Sequence, residues 1–292
     1  MTRRIFRTDL ALPEGPSLLE DGSWLVAEMA LARGCVTQID ATGASVRTLA
    51  RTGRPNGIAI RGNEILVAES LTPSLLGLQR DGTARTIATS CEGHPLLWPN
   101  DLCVGPNGAI YVTDSGALVV DFLEGDAPSG DFANVAFDGR ICRFGPAEGE
   151  ERVLDEGLRF ANGIAFGPDG LLYATETFTG NVYRYDTGQA RPDRELFANV
   201  LDPSLNFAGL RGPDGMAFDN QGRLYVAVFG QGDVTILNPD GQVGERIPTG
   251  GRNPTNVAFG PPDSGDIYVT EDDTGCLEVY HVGADGLPLH DD

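Results

Sequence analysis

Short stretches in which apolar and polar residues alternate fill most of the chain, and turns containing glycine separate them. Residues 162–166, 171–176, 181–185 and 194–198 show the pattern well. A period of two residues is typical of β-strands with one buried face, and no segment has the amphipathic period of a three-turn helix. The pattern therefore predicts an all-β fold in which each group of four strands is antiparallel.

This four-strand group recurs six times along the chain. Each repeat begins with a polar residue before an apolar strand, at intervals of 42, 44, 62, 52 and 41 residues. We call these positions the inner ring: Glu14, Asn56, Asn100, Asn162, Asp214 and Thr255. Six units of about 48 residues with four strands each are typical of a six-bladed β-propeller. We expect residues 1–292 to form one such domain, closed into a ring by an outer strand at residues 5–10.

The turn residues agree with this fold. The chain has 39 glycines and 19 prolines, about a fifth of its length, and a normal apolar content of 41%. Five hairpin turns are expected where Asp or Asn precedes glycine, since these residues tolerate a positive φ. They lie at Asp21-Gly22, Asp81-Gly82, Asn107-Gly108, Asp169-Gly170 and Asp240-Gly241.

The inner ring predicts a binding site at the centre of the propeller. Equivalent positions of the innermost strands surround the central channel, and all six side chains carry an oxygen atom. A second set of acids, the outer ring, ends the second strand of five repeats: Glu28, Glu69, Asp114, Glu176 and Glu271. Carboxylate and amide oxygens without His or Cys favour a hard cation, with calcium first and magnesium or manganese next. The alternative is that these side chains only cap turns.

Charge and cysteine content exclude several classes of function. The chain has 42 acidic and 21 basic residues, a net charge of −21, and all its cations are arginines. This balance argues against nucleic acid or an anionic membrane as partner, and the absence of lysine excludes Schiff-base chemistry. The N-terminus lacks a signal-peptide pattern, and five scattered cysteines suggest free thiols. We therefore expect a cytoplasmic protein that is a monomer or small homo-oligomer.

Four ordered motifs resemble the senescence-marker-protein/gluconolactonase family, which includes regucalcin-like proteins. They are Glu14-Gly15-Pro16, Pro99-Asn100-Asp101, Asn162-Gly163 and Pro213-Asp214-Gly215-Met216. The resemblance spans nearly the whole chain and implies a lactone hydrolase with one divalent metal in the channel. It implies Glu14, Asn162 and Asp214 as metal ligands and Asn100 as a ligand or substrate contact. Calcium is the first candidate; zinc, manganese, magnesium and iron are the others.

One position departs from the family pattern. Trp98 stands two residues before Asn100, where the family often has an arginine that contacts sugar-acid lactones. An indole replaces the five donors of a guanidinium with an apolar face. The exchange favours a less polar lactone or ester, although a sugar could still stack on Trp98.

The predicted chemistry is metal-assisted ester hydrolysis. Asp214 is the candidate general base or water-orienting residue, and the alternative is that it only holds the metal, because a metal-bound carboxylate is a weak base. Asn100 is the candidate for binding the developing oxyanion. Trp98, Asn100, Asn56, Asp114, His94 and Phe122 are the candidate substrate contacts. His94 is a possible proton shuttle, and the alternative is a solvated loop residue.

Two long insertions, residues 116–138 and 199–211, are expected near the channel mouth. They would supply a wall or lid, with Phe122 and Phe207 as apolar contacts, or else pack against a neighbouring blade. Two other functions stay open. One is a non-catalytic propeller that binds a small ligand or partner around a structural ion, and the other is a metal-dependent enzyme for a different ester or carbonyl substrate.

Overall fold

Six four-stranded antiparallel sheets surround a central channel in the computed structural model, which describes residues 2–147 and 149–290. The strands of the first three blades follow one another from the channel outwards. Blade 1 has Pro13–Leu18, Trp24–Glu28, Cys35–Ile39 and Val46–Arg51; blade 2 has Pro55–Arg61, Glu64–Glu69, Ser74–Leu78 and Ala84–Ala88; blade 3 has Pro99–Val104, Ile110–Asp114, Gly139–Phe144 and Arg152–Leu158.

The last three blades have the same order, and the N-terminus completes the ring. Blade 4 has Ala161–Phe166, Leu172–Glu176, Asn181–Tyr185 and Glu195–Asn199; blade 5 has Gly212–Phe218, Leu224–Phe229, Asp233–Leu237 and Val243–Pro248; blade 6 has Pro254–Phe259, Asp266–Glu271, Cys276–His281 and, outermost, Arg3–Arg7. The innermost strands contact one another from blade to blade, and blade 6 contacts blade 1. The six-bladed propeller and its N-terminal closure are confirmed.

The closing strand is shorter than expected and lies earlier in the chain. It spans Arg3–Arg7, and its first pair is Arg3 opposite Tyr280, whereas residues 5–10 were predicted. Asp9 has a φ of 61° and Leu12 a φ of 53°, so the backbone leaves the extended conformation before residue 10. Leu10 then turns inward and is buried.

The predicted turns form as the chemistry of their residues requires. The glycines of all five Asp-Gly and Asn-Gly pairs have φ between 72° and 88°. At Asp21-Gly22, for example, Asp21 Oδ1 accepts the Ser23 amide at 2.9 Å, a local bond that pre-forms the hairpin.

Apolar clusters fill the spaces between adjacent blades. Ile65 and Val67 belong to the cluster shared with blade 1, and Leu66 and Ala68 to the cluster shared with blade 3. Alternate residues of a strand point to opposite faces, so one run of four apolar residues supplies two interfaces. The same arrangement holds around the ring and fixes the positions of the innermost strands.

The remaining short elements lie outside the regular blades. A hairpin pairs Ser90–Cys91 with His94–Pro95, and the first insertion contains the helix Val119–Phe122, the hairpin Leu123–Glu124 with Ala127–Pro128, and the 3₁₀ turn Phe132–Asn134. No helix within the described residues is long and apolar enough to cross a membrane.

Candidate metal and substrate site

All six inner-ring residues line one cavity of about 90 Å³ in the central channel. Five of them are buried, and Asp214 is half-buried. Five of them are the second residue of an innermost strand, and Asp214 is the third residue of its strand. Each lies near a register irregularity, for example between Pro99 and Leu102 of blade 3. Such bulges re-aim a side chain, and here they accompany every inner-ring position. The predicted convergence of the six positions therefore occurs.

Asn100 and Asn162 each have an amide oxygen that is buried and bonded to nothing among the described residues. Asn100 Nδ2 donates to Ser115 Oγ at 3.0 Å, and that hydroxyl donates to the Ala161 carbonyl at 3.0 Å. Asn162 Nδ2 donates to Thr177 Oγ1 at 3.1 Å, and that hydroxyl donates to the Pro213 carbonyl at 2.9 Å.

These bonds fix the orientation of both amides. Each hydroxyl already donates its hydrogen to a carbonyl, so it can only accept a hydrogen bond from the amide nitrogen. The amide oxygen is consequently left as the free atom at the cavity. A buried acceptor without a donor is costly, and a cation would satisfy it.

The acids at the cavity repel one another. Burial raises the pKa of Glu14 to about 8, with the charge of Asp101 adding to the effect. Burial and the charges of Glu14 and Asp101 raise the pKa of Asp214 well above its usual range. A bound cation would reverse this penalty by stabilising the ionised carboxylates. The residues present therefore fit a divalent metal.

Two polar residues that directly follow inner-ring residues in the chain were not identified from the sequence. The position after the ring residue is glycine in four blades, but it is Asp101 in blade 3 and Asn256 in blade 6. A Cβ atom at Gly57 would collide with Asp101, and one at Gly215 with Asn256, so the glycines make room for these two side chains. The sequence signal that could have identified Asp101 and Asn256 is that they replace a glycine found in the other four repeats.

Asn256 contacts two acids, one in the inner ring and one directly after an inner-ring residue in the chain. Its Nδ2 donates to Glu14 Oε2 at 3.0 Å and approaches Asp101 Oδ2 at 3.4 Å. Burial raises the pKa of Asp101 to about 6. Among the described residues, no group of three or more His, Cys, Asp or Glu side chains is arranged to hold a metal. The candidate ligand set is accordingly a mixture of carboxylates and amides.

The outer ring has a different environment. Each of its acids accepts from a backbone amide in the loop that enters its own blade: Ala11 to Glu28, Arg54 to Glu69, Leu97 and Trp98 to Asp114, Arg159 to Glu176, and Asn253 to Glu271. Asp114 also accepts from Gly116 at 3.0 Å. These carboxylates satisfy buried donors, and Asp114, a predicted substrate contact, does not line the cavity.

Apolar side chains cover one side of the cavity. Trp98 and Phe160, each two residues before an inner-ring asparagine, line it together with Phe122 from the first insertion. Their ring centroids lie 5.1–5.6 Å apart. Leu210 of the second insertion also lines the cavity, whereas Phe207 packs on the Arg252 guanidinium and is not part of the lining.

Charged residues lie on another part of the wall, and the sequence did not single them out. Buried Arg54 donates through Nη1 to the Met29 carbonyl at 3.0 Å and to Asp126 Oδ1 at 3.2 Å. Asp126 belongs to the first insertion, so this ion pair fastens the insertion to blade 2. Asp272 also lines the cavity. Burial and the neighbouring Glu271 raise its pKa to about 7, and Arg54 opposes the shift.

His94 lies away from this site. It is exposed in the short hairpin and is not among the cavity-lining residues. Of the nine predicted site residues, the structure thus brings seven to one cavity and leaves His94 and Asp114 outside it.

Fold and site together define a six-bladed propeller with an oxygen-rich, acidic cavity in its channel. The family model described as "SMP-30/Gluconolactonase/LRE-like region" matches residues 12–272. The chain belongs to this family, and the resemblance inferred from its motifs is confirmed.

Individual relatives and a solved structure are also similar to this chain. A 6-deoxy-6-sulfogluconolactonase of Pseudomonas putida is 38% identical over 127 residues, or 42% of each chain, so the match spans about two fifths of that relative. The diisopropyl-fluorophosphatase of Loligo vulgaris is 28% identical over 239 residues, covering 77% of this chain and 70% of that protein. A gluconolactonase structure from Xanthomonas campestris aligns with 98% of this chain and 89% of its own at a TM-score of 0.78 and 24% identity.

Proposed function

We propose that this protein is a divalent-metal-dependent hydrolase that opens a lactone at the inner ring. The free amide oxygens of Asn100 and Asn162, beside the carboxylates of Glu14 and Asp214, carry the proposal. Family membership and the lactonase names of relatives support the reaction class. Calcium is the first metal to test because every proposed ligand atom is an oxygen.

Each ligand has a defined place in the proposed site. Glu14, Asn100, Asn162 and Asp214 would hold the metal. A bound divalent cation supplies polarisation of a carbonyl and a lower pKa for water. Asn100 fits the ligand role better than oxyanion binding, since its amide nitrogen already donates to Ser115.

Asp214 and the aromatic wall perform the remaining tasks. Asp214 is the half-buried member of the inner ring, so its carboxylate can accept a proton from a water in the cavity. Trp98, Phe122 and Phe160 would pack on the substrate ring and exclude bulk water. Asn56, which also lines the cavity, is a candidate substrate contact.

The test is metal dependence of lactone turnover. Protein treated with chelator should lose activity on a lactone panel and regain it with one of calcium, magnesium, manganese, zinc or iron. Glu14→Gln and Asn162→Ala should weaken metal binding measured by calorimetry. The exposed residues Glu20 and Asn220 provide the matched controls Glu20→Gln and Asn220→Ala. Unchanged metal binding and activity in both site variants would contradict the proposed ligand set.

A second candidate keeps the metal and changes the substrate to a phosphorus ester. The match to a diisopropyl-fluorophosphatase over 77% of this chain favours its inclusion. Turnover of organophosphates with none on lactones would support this candidate. Metal-dependent stabilisation without turnover of either class would instead support a binding protein.

A further inference from the structure

Unpartnered buried polar atoms are concentrated at the cavity. Among the described residues, twelve buried side-chain nitrogen or oxygen atoms have no hydrogen-bond partner, and five of them belong to cavity-lining residues. Two are the amide oxygens of Asn100 and Asn162. The other three lie outside the proposed metal site: Arg54 Nε, Trp98 Nε1 and Asp272 Oδ1. Since such atoms are costly to bury, their clustering indicates a ligand that satisfies them.

Arg54 is buried and hydrogen-bonded, and one of its donors has no acceptor. Its side chain is 4% exposed, and its backbone amide donates to Glu69 Oε1 at 2.8 Å. Nη1 donates to the Met29 carbonyl and to Asp126, but the buried Nε has no acceptor. Arg54 stands two residues before Asn56, as Trp98 stands two before Asn100. Blade 2 therefore brings a guanidinium to the cavity at the place where blade 3 brings an indole.

Asp272 supplies the complementary acceptor. Its backbone amide donates to the Asn253 carbonyl at 3.0 Å, while its buried Oδ1 accepts from no described group. Within the described chain, the ion pair of Arg54 is with Asp126, and no ion pair within 4.0 Å joins Arg54 to Asp272. A donor and an acceptor without partners therefore belong to residues that line the same cavity, and they do not bond to each other.

A hydroxyl group can satisfy both kinds of atom, because it accepts one hydrogen bond and donates another. We propose that Arg54 and Asp272 are specificity-determining residues that bind a hydroxyl of the substrate, with Arg54 Nε donating to it and Asp272 Oδ1 accepting from it. The inference rests on the proposed lactone hydrolysis. It also revises the expectation drawn from Trp98, since the cavity contains a guanidinium after all and suits a hydroxylated lactone with one apolar face.

The test compares two lactones that differ only in hydroxyl groups, δ-valerolactone and glucono-δ-lactone. Arg54→Met and Asp272→Leu should lower kcat/KM for the hydroxylated lactone at least tenfold, mainly through KM, and for δ-valerolactone less than threefold. Arg54→Lys retains a cation for Asp126 but lacks the Nε–H donor, so it should lose the same discrimination. The exposed residue Arg80 provides the control variant Arg80→Lys.

Equal losses on both lactones, or full discrimination in Arg54→Lys, would overturn the proposal and leave Arg54 as an anchor for the insertion. A binding arm keeps the test independent of catalysis. The cyclic polyol 1,5-anhydroglucitol, which has no carbonyl, should raise the melting temperature of the parent protein but not of Arg54→Met or Asp272→Leu. If no lactone is turned over, the proposed function fails, and this stabilisation still decides the roles of Arg54 and Asp272. Equal stabilisation of parent and variants, or none of the parent, would count against them.

Discussion

The inner and outer rings are both polar, largely buried and set by the same repeat, yet they differ in how far their oxygens are hydrogen-bonded. Outer-ring carboxylates accept from backbone amides; Asp114 alone accepts from three. Inner-ring Asn100 and Asn162 have free oxygens, and Glu14 and Asp214 repel each other. Burial and charge are common to a structural and a functional site. The distinguishing feature is whether the protein itself supplies the partners.

The largest expected effect comes from the inner-ring acid nearest to solvent. Asp214→Asn should lower kcat on a responsive lactone by about 10²–10³-fold, because both a metal ligand and the proton acceptor are weakened. Steady-state kinetics at saturating metal measures the loss. Asp193→Asn, at an exposed position, is the control, and an active Asp214→Asn enzyme would remove Asp214 from the mechanism.

The outer ring should respond in stability instead. Asp114→Ala leaves three backbone amides, two of them buried, without an acceptor, so we expect a loss of about 2–4 kcal/mol in the free energy of unfolding. Urea denaturation of the metal-free protein measures it. A stable Asp114→Ala protein with impaired metal binding would reverse the roles assigned to the two rings.

Metal should stabilise the protein through the inner ring only. At a free concentration of a hundred times Kd, a bound ion adds about 2.7 kcal/mol to the free energy of unfolding. Glu14→Gln should lose most of this gain, and Glu20→Gln should retain it. Thermal melts with and without chelator distinguish the two variants, and equal gains in both would place the metal elsewhere.

Asp272 is an intermediate case, since it follows outer-ring Glu271 but lines the cavity. Its pKa is about 7 in the folded protein against an ordinary value of 3.8. The folded state therefore favours the protonated form, and its contribution to stability is lost as the pH rises toward 7. Asp272→Asn should consequently be more stable than the parent at pH 8 by on the order of 2 kcal/mol, with little difference near pH 4. Urea titrations at both pH values test this, and a pH-independent difference would contradict the assigned ionisation.

Much of the site was accessible to sequence reasoning because the repeat places equivalent residues at equivalent points. The spacing of Asn56, Asn100 and Asn162 predicts their convergence, and one cavity does contain them. Arg54 and Asp272 were not found, because their significance depends on the absence of partners across blades. Asp114 shows the opposite error. Its place in the repeat suggests a site residue, but only the structure shows that backbone amides already donate to its carboxylate.

The sequence by itself determined the architecture, since strand alternation and Asp-Gly turns act over a few residues and recur six times. It also predicted that the six inner-ring side chains converge in the channel. Tertiary structure alone decided which of those side chains are already satisfied. That property depends on atoms from different blades. For example, the Ser115 hydroxyl donates to the Ala161 carbonyl of the next blade, so it accepts from the Asn100 amide nitrogen and leaves the Asn100 oxygen without a partner. Local strand and turn preferences form the propeller, and contacts between blades decide which side chains of its channel are free to bind a ligand.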